Sequence, residues 1–338
     1  RLLWYPVYLA RCAAELPDSR LIDAAADELG DEQILLLARG FELCVLHSSR
    51  RSLAADLNFV KLLRRRHPNM RLGLIGAGAE QRADEILTAP SAPDFIAPNP
   101  PVRALRELVS GRDYGEIPGL AYAVSGRCVR NPDSPLDPGQ EAAGGSLVRV
   151  YRRDLTTANY SVSFLRHPYL SLDAGGGGRP APVEELLAEA ARARAEFPSL
   201  REIFFDDENF TADPERVTRL AEGLGRLPIA WSCQADPRVP PRALARWRQN
   251  GLRLVSLDLL AGSRPLLERL GRRYDPPAAL RFTRECRRLG IRTHGSFVFG
   301  LPGETAKTIE ESLRFLRVLP LDSLLVSLAA DRAGESAL

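Results

Sequence analysis

The chain alternates short apolar runs with longer segments whose apolar residues recur every three or four positions. Runs of the first kind predict strands, and segments of the second kind predict amphipathic helices. In the first part of the chain the predicted strands are residues 19–24, 42–49, 72–78 and 94–97, and the predicted helices include residues 31–40, 53–66 and 81–89. Strands that alternate with helices favour a parallel sheet covered on both faces. We therefore predict an α/β domain with a doubly wound parallel sheet over residues 1–130.

Two features mark the end of this domain. Residues 119–132 predict a small hairpin that turns at Ser125-Gly126. Residues 131–145 are rich in Pro, Gly and Asp and have no hydrophobic period, which is typical of a loop. We predict a linker over residues 131–150 and a second domain over residues 151–338. Because the chain starts with Arg1 rather than Met and ends abruptly, we expect the natural protein to extend beyond both ends.

The second half repeats the alternation of strands and helices more regularly. Its predicted strands are residues 169–173, 201–207, 229–233, 252–258, 291–300 and 323–330. Six such units without a closing pair predict a partial (β/α)6 barrel of the TIM type, whose functional residues come from the C-terminal ends of the strands. These ends carry Asp173, Asp206, Asp207, Gln234 and Asp258.

Four consecutive glycines, Gly175 to Gly178, separate the first of these strands from a long helical pattern. Ligands bind at loops that leave the C-terminal end of a parallel strand, so we expect Gly175 and Gly176 in or beside the site. The loop has neither a GxGxxG pattern nor a GK[ST] ending, and Pro180 and Pro182 remove backbone donors that a phosphate cradle needs. It is therefore a poor match to a phosphate-binding loop.

Composition limits the class of protein. The 338 residues are 45% hydrophobic and 26% charged with a net charge of +3, which favours a globular protein of two domains. No apolar run approaches the roughly eighteen residues of a spanning helix, and no signal-peptide cleavage pattern is present. We expect a cytoplasmic location. The basic run Arg64–Arg66 suits a helix C-terminus that complements the helix dipole, so we expect no nucleic-acid partner.

The cysteines are spread singly along the chain at Cys12, Cys44, Cys128, Cys233 and Cys286. No two lie at the spacing of a local zinc or iron–sulfur motif. Isolated cysteines are typical of buried thiols in a reducing compartment, so we predict no metal site built from one loop. His294 lies inside a strand pattern and is predicted to be a packed side chain.

Several motifs occur together in the order of one known family. They are FFDDENFTAD, WSCQA, NGLRLV and GIRTHGSFVFGLPGETAKTIEESLRF in the second half, and SRLIDAAADEL, VLHSS and IPGLAY in the first. With them the chain resembles radical SAM proteins that carry an N-terminal cobalamin-binding domain, and within these the hopanoid-biosynthesis branch. The resemblance implies S-adenosylmethionine (SAM), cobalamin and a [4Fe–4S] cluster as cofactors, and a small-molecule or hopanoid-like lipid substrate.

The family holds its cluster with three cysteines of a CxxxCxxC loop after the first barrel strand. Here that position reads LDAGGGGRPAPVEE and has no cysteine. Thiolates supply the charge and the Fe–S bonds that hold a cluster, and glycine cannot replace them. The residues that match the family's ribose-binding Glu-Ser-Gly are Leu260, Ala261 and Gly262, and a leucine accepts no hydrogen bond. The turn after the sixth strand, Asp331 to Glu335, keeps only Gly334 of the family pattern.

The resemblance assigns Gly300, Pro302, Gly303 and Glu304 to the adenine side of the SAM site. The same residues also suit a tight turn in which Glu304 caps the next helix. The catalytic residues are unknown. Asp206 and Asp207 are weak candidates that would contact a cofactor amine or a substrate hydroxyl, and a solvent-exposed strand end explains them equally well.

A cobalamin site with a histidine ligand uses a DxHxxG motif, but the residues after Asp23 read DAAADEL. The strand ends where the nucleotide tail of cobalamin would lie carry His47, Ser48, Ser49, Gly76 and Gly78. Small residues there permit close approach of the backbone, although doubly wound domains need small residues at such turns in any case. We therefore predict cobalamin binding without histidine ligation.

Three interpretations of the function follow. In the first, the chain descends from a cobalamin-type radical SAM enzyme and no longer builds a cluster. In the second, it is an active hopanoid- or lipid-modifying enzyme that uses a cluster held by distant cysteines or a different cofactor. In the third, the loop Gly175–Gly178 makes the chain a nucleotide-binding module.

Overall fold

The computed structural model of the protein describes residues 3–16, 18–133, 145–175, 180–207, 210–271 and 275–329. Contacts between Cα atoms divide the chain into two compact units, one of residues 6–159 and one of residues 1–5 with 160–338. Of the predicted linker over residues 131–150, residues 134–144 lie outside the described part of the chain. A helix from Leu147 to Asp154 begins inside that range, because Ser146 caps it by accepting a hydrogen bond from the backbone N–H of Arg149.

The unit of residues 6–159 is built on one mixed sheet. Its described strands are β1 (Leu43–His47), β2 (Arg71–Ile75), β3 (Phe95–Ile96), β4 (Ala121–Val124) and β5 (Arg127–Arg130). Its described helices are α1 (Val7–Glu15), α2 (Asp31–Leu37), α3 (Leu53–Arg66), α4 (Ala77–Glu80), α5 (Ala83–Leu87), α6 (Val102–Val109) and α7 (Leu147–Asp154). The strand order is β1-β2-β3-β4-β5, in which β1, β2 and β3 are parallel and β4 and β5 are antiparallel to their neighbours.

The β4–β5 hairpin confirms the predicted turn at Ser125-Gly126. Both turn residues have positive φ, 50° and 75°, as a type I′ turn requires. The strands of this unit that the structure describes follow one another in a single direction across the sheet. The reversal of strand order that defines a doubly wound sheet is not found among them, so that part of the prediction is not confirmed.

The strand predicted over residues 19–24 is wrong, because these residues form a loop and turn. The carboxylate of Asp23 accepts a hydrogen bond from the backbone N–H of Ala26 at 3.1 Å, which folds the chain locally. The backbone N–H of Leu21 donates to Asp154 Oδ2 at 2.9 Å. A contact to a residue so distant in sequence leaves no signal in the local pattern.

Both faces of the first sheet are covered, as predicted. Phe95 and Ile96 are adjacent in β3 and point to opposite faces. Phe95 packs in a buried cluster with residues of α1 and α6, such as Cys12 and Leu105, and Ile96 packs in a second cluster with residues of α3, such as Val60. The strands β2 and β3 are thus buried between helices, whereas most residues of the β4–β5 hairpin are exposed.

The unit of residues 160–338 contains a second, fully parallel sheet. Its described strands are β6 (Tyr169–Leu172), β7 (Glu202–Phe205), β8 (Ala230–Gln234), β9 (Leu252–Leu260), β10 (Arg292–Phe299) and β11 (Ser323–Leu328). Its described helices are α8 (Val183–Glu196), α9 (Pro214–Leu224), α10 (Pro241–Gln249), α11 (Arg264–Arg269), α12 (Pro276–Leu289) and α13 (Ala306–Val318). The strand order is β11-β10-β9-β8-β7-β6, so each strand pairs with its neighbour along the chain. This is the order of consecutive β/α units, and the six predicted strands are confirmed.

The amino-terminal ends of these strands are held by a buried ion pair. Glu202, the first residue of β7, is fully buried and accepts hydrogen bonds from Arg253 Nε at 2.9 Å. Ser232 also donates to this carboxylate, and Arg166 donates its backbone N–H at 2.6 Å. A buried charge with this many donors is compensated, so the polar residues of this end serve the structure. None of the described helices has the length and hydropathy to cross a bilayer.

Candidate functional site

The glycine loop after β6 is closed at its neck by Arg216. The backbone N–H of Ala181 donates to Ala174 O at 2.9 Å. Arg216 Nη2 donates to Ala174 O at 3.1 Å and to Ala181 O at 2.6 Å. Gly175 has a φ of 122° and donates its N–H to Asp173 Oδ1 at 3.0 Å, whereas Gly176 lies outside the described residues. The two ends of the loop are therefore joined by a single guanidinium group.

Arg216 comes from the first turns of α9 and is only 8% exposed. Burial lowers the pKa of this guanidinium, and the nearby carboxylates Asp207 and Asp213 oppose the shift. Sequence reasoning did not single out Arg216. The signal was its place two residues after Pro214 at a helix start, on the face that packs towards the preceding strands.

Asp206 and Asp207 lie at the same end of the sheet as the glycine loop. The backbone N–H of Asp206 donates to Leu172 O at 3.0 Å, and Gln234 Nε2 donates to Asp206 Oδ1 at 3.4 Å. Both aspartates are half-buried. The structure thus brings the ends of β6, β7 and β8 together, and these carboxylates already interact with protein groups there.

The turn Gly300–Glu304 follows β10 at this same end. Gly300 and Gly303 have φ values of 80° and 78°, which favour glycine. Glu304 Oε2 accepts a hydrogen bond from the backbone N–H of Gly300 at 2.5 Å, and Arg269 Nη2 donates to Gly303 O at 2.8 Å. The turn is therefore held by its own acid and by an arginine of α11, which the sequence did not indicate.

Glu304 does not cap the following helix, so that expectation was wrong. Thr305 is the cap of α13, since its hydroxyl accepts from the backbone N–H of Thr308 and the Thr308 side chain accepts from the N–H of Thr305. Glu304 instead closes the turn before the helix. Pro302 is an exposed member of that turn.

The positions that match the ribose-binding acid of the family are apolar in the fold as well. Leu260 ends β9 with a positive φ of 57° and packs with the buried residues Ala261, Leu266 and Leu267. Gly262 donates its N–H to Ser312 Oγ at 2.9 Å. This strand end is thus occupied by an apolar cluster and offers no carboxylate at the matching position.

The cysteines do not fit the [4Fe–4S] cluster of the family. The unit of residues 160–338 contains only Cys233 in β8 and Cys286 in α12, and both are fully buried. Burial raises the pKa of the Cys233 thiol and raises that of Cys286 to about 12, so both stay protonated. Among the described residues no group of three or more His, Cys, Asp or Glu side chains could hold a metal ion. Three thiolates are therefore not brought together.

The residues predicted on the cobalamin side are brought together at the C-terminal ends of β1 and β2. Ser48 is fully buried, and its hydroxyl donates to Asp56 Oδ2 at 2.7 Å. The hydroxyls of Ser49 and Ser52 are 2.9 Å apart. The serines are therefore used to shape the loop between β1 and α3, while His47 is exposed beside them.

Gly76 and Gly78 let the loop after β2 lie directly on the loop after β1. A Cβ atom on Gly76 would lie 2.6 Å from Ser48 O, and one on Gly78 would lie 2.5 Å from the carbonyl carbon of Ser49. Gly76 also has a φ of 102°. Any side chain at these positions would force the two loops apart, so the glycines maintain one continuous surface at this edge.

The imidazole of His47 is held by residues that sequence reasoning missed. The ring of Tyr8 packs edge-on against it with ring centres 5.7 Å apart, and the Tyr8 hydroxyl donates to Asn99 Oδ1. Reduced solvation lowers the pKa of His47, and Asp56 partly opposes the shift. The ring is therefore neutral at pH 7. Tyr8 lies in a segment whose apolar residues gave no functional signal.

Small residues and an exposed histidine meet at these two strand ends. The glycines let the loops after β1 and β2 pack directly on each other, and His47 is exposed beside them. Such sites at the carboxyl ends of parallel strands are where open α/β sheets bind their ligands.

Comparison with known proteins finds similarity in sequence and in fold. Residues 161–316 match the Radical SAM superfamily. An uncharacterized methyltransferase of Pyrococcus horikoshii is 22% identical over 97% of this chain and 75% of its own length.

Two solved structures share the fold over nearly the whole chain. The radical S-adenosylmethionine methyltransferase TsrM from Kitasatospora setae, solved with a tryptophan substrate and a SAM analogue, has a TM-score of 0.74 at 17% identity, over 95% of this chain and 70% of its own. The cobalamin-dependent S-adenosylmethionine radical enzyme OxsB, solved with aqua-cobalamin, has a TM-score of 0.72 at 16% identity, over 97% of this chain and 51% of its own. The chain thus spans about half the length of OxsB. At these identities the likeness establishes the fold alone.

Proposed function

We propose that the chain is a corrinoid-binding protein on the scaffold of cobalamin-dependent radical SAM methyltransferases, and that it builds no [4Fe–4S] cluster. The unit of residues 6–159 would bind the corrinoid at the ends of β1 and β2. The unit of residues 160–338 would be the partial barrel, with the turn Gly300–Glu304 on the adenine side of a SAM site. For the substrate we keep the class that the sequence resemblance implies, a small molecule or a hopanoid-like lipid.

One observation supports the proposal that the chain builds no cluster. Cluster ligation needs three thiolates around one open edge, but the two cysteines of the barrel unit are buried on β8 and α12. The guanidinium of Arg216 joins Ala174 and Ala181, which flank the segment that matches the family's ligand loop. Without the cluster no electron reaches SAM, so radical formation by reductive cleavage is lost.

The same observation weighs against an active enzyme with ligands from distant cysteines. Bringing Cys233 and Cys286 to the ends of the strands would require a central strand and a packed helix to leave the core. The third interpretation, a nucleotide-binding module, rests on Gly175–Gly178, of which Gly176–Gly178 lie outside the described residues. Asp206 and Asp207 keep their role as candidate contacts to a cofactor amine or a substrate hydroxyl.

Anaerobic reconstitution with iron and sulfide tests this proposal. We expect no charge-transfer band near about 400 nm after desalting, and no more iron than a Cys233→Ala, Cys286→Ala double variant retains. The double variant is the matched control because it removes the only thiols of the barrel unit. A wild-type chain that keeps about four iron atoms, as a [4Fe–4S] centre contains, would overturn the proposal.

A further inference from the structure

A cavity lies at the amino-terminal edge of the first sheet, opposite the edge that carries His47 and Gly76. It is lined by Arg71, the first residue of β2, and by Asp94, which directly precedes β3. We call it the Arg71 cavity. Its volume is about 360 Å³, at the lower end of the range in which proteins bind small molecules. It shares no lining residue with the candidate sites described above.

The Arg71 cavity carries one positive charge that no described carboxylate compensates. Arg64 and Asp94 form an ion pair in which Nη2 and Oδ1 are 2.8 Å apart. The second carboxylate oxygen, Asp94 Oδ2, accepts a hydrogen bond from the backbone N–H of Leu72 at 2.6 Å. Arg71 Nη1 donates to Leu108 O at 3.1 Å, and none of the described carboxylates forms an ion pair with Arg71. The guanidinium of Arg71 therefore has donors left for a ligand.

The hydroxyl of Tyr114 is a second available donor in this cavity. Phe95 and Tyr122 pack edge-on against the Tyr114 ring, with ring centres 5.8 Å and 5.7 Å away. Burial raises the pKa of Tyr114, and Asp94, Arg71 and Arg64 all act on it, so the hydroxyl lies near them and stays protonated. No hydrogen bond joins this hydroxyl to another residue within the described ranges.

The rest of the cavity wall is mostly apolar and includes the buried residues Met70, Leu87 and Pro93. The two guanidinium groups would repel a cation, and both oxygens of Asp94 are already bonded. A doubly charged anion would bring more negative charge than Arg71 alone can compensate, and uncompensated charge is costly where solvent is reduced. These properties favour a single carboxylate on a compact apolar body.

We propose that the Arg71 cavity binds a small organic monocarboxylate, whose oxygens accept hydrogen bonds from the guanidinium of Arg71 and the hydroxyl of Tyr114. Binding is noncovalent, so no bond is formed or broken. The inference is independent of the corrinoid binding and of the missing cluster proposed above.

Fluorine NMR of para-fluorobenzoate titrated with the full chain tests the site. We expect saturable line broadening, and no saturable broadening of the uncharged analogue para-fluorobenzamide. Arg71→Gln should weaken the binding about tenfold and Tyr114→Phe about fivefold, since each removes donors to a charged group. Tyr114→Phe keeps the ring against Phe95 and Tyr122. The exposed Arg39, which does not line the cavity, gives the control Arg39→Gln, for which we expect the wild-type affinity.

Three results would overturn the inference. Absence of saturable broadening with para-fluorobenzoate would show that the cavity takes no such carboxylate. Equal binding of the benzamide would show that the charge of the ligand is not recognised. Wild-type affinity in both Arg71→Gln and Tyr114→Phe would place the bound benzoate elsewhere on the chain.

Discussion

Two histidines, His294 and His47, lie in very different environments. His294 in β10 is 6% exposed, stacks on Phe164 with ring centres 3.7 Å apart, and is hydrogen bonded to Ser323. The sequence predicted such a packed side chain from the strand pattern around it. His47 ends a strand of the other sheet and is exposed. Histidine is therefore a packed side chain in one strand and an exposed residue at the end of another.

The buried His294 makes stability depend on pH. Burial lowers its pKa from 6.5 to about 4, so between these values the unfolded chain binds a proton that the folded chain does not. Stability is then complete above pH 6.5, falls as the pH drops towards 4, and loses nothing more from this group below that. The shift corresponds to a loss of about 3 kcal/mol from this residue.

Urea unfolding followed by tryptophan fluorescence measures this effect, because Trp4, Trp231 and Trp247 all lie in the same unit as His294. His294→Gln keeps a partner for Ser323 without titrating in this range. We expect the wild type to lose more stability than this variant between pH 7 and pH 4.5. Parallel pH profiles of the two proteins would contradict the assignment.

At the scale of elements, α9 supplies the side chain that joins the two ends of the loop between β6 and α8. Its Asp213 caps the helix by accepting from the backbone N–H groups of Glu215 and Arg216. This cap fixes the first turn, from which the Arg216 side chain reaches both ends of the loop between β6 and α8. The closure of this loop is therefore a property of the neighbouring β/α unit.

Replacing Arg216 should open this closure. In Arg216→Gln we expect the amide of Ala181 to exchange its hydrogen faster and the unit to lose about 2 kcal/mol, because the carbonyls of the buried Ala174 and the half-buried Ala181 lose a charged donor. The exposed Arg219 of the same helix provides the control variant Arg219→Gln, which should change neither quantity. Unchanged exchange at Ala181 in Arg216→Gln, measured by hydrogen exchange, would show that the guanidinium does not hold the loop.

At the scale of the whole molecule, the sequence predicted the elements of the second half well. Its six strands alternate with amphipathic helices, and local periodicity was enough to find them. The first half was harder to predict because contacts between residues far apart in sequence determine part of its secondary structure. Residues 19–24 have the pattern of a strand but are drawn into a loop by Asp154, and the helix that begins at Leu147 lies in a segment predicted as linker.

Some residues of the candidate sites could be predicted from the sequence, and others could not. Strand ends suggested Gly76 and Gly78, and the family resemblance suggested the turn Gly300–Glu304. Arg216, Arg269, Tyr8 and Asn99 were missed, since each reaches its partner from a separate element and no local motif marks it. The absence of a CxxxCxxC motif was visible in the sequence, but only the fold shows that Cys233 and Cys286 lie in the core of the unit of residues 160–338.

The central claim is that this chain binds a corrinoid and builds no cluster, and metal analysis tests it most directly. The chain is incubated anaerobically with iron, sulfide and aqua-cobalamin together, desalted, and analysed for iron and cobalt by mass spectrometry. We predict about one cobalt per chain, as one cobalamin contains, with iron at the level of the Cys233→Ala, Cys286→Ala control. About four iron atoms per chain, or no retained cobalt, would contradict the account.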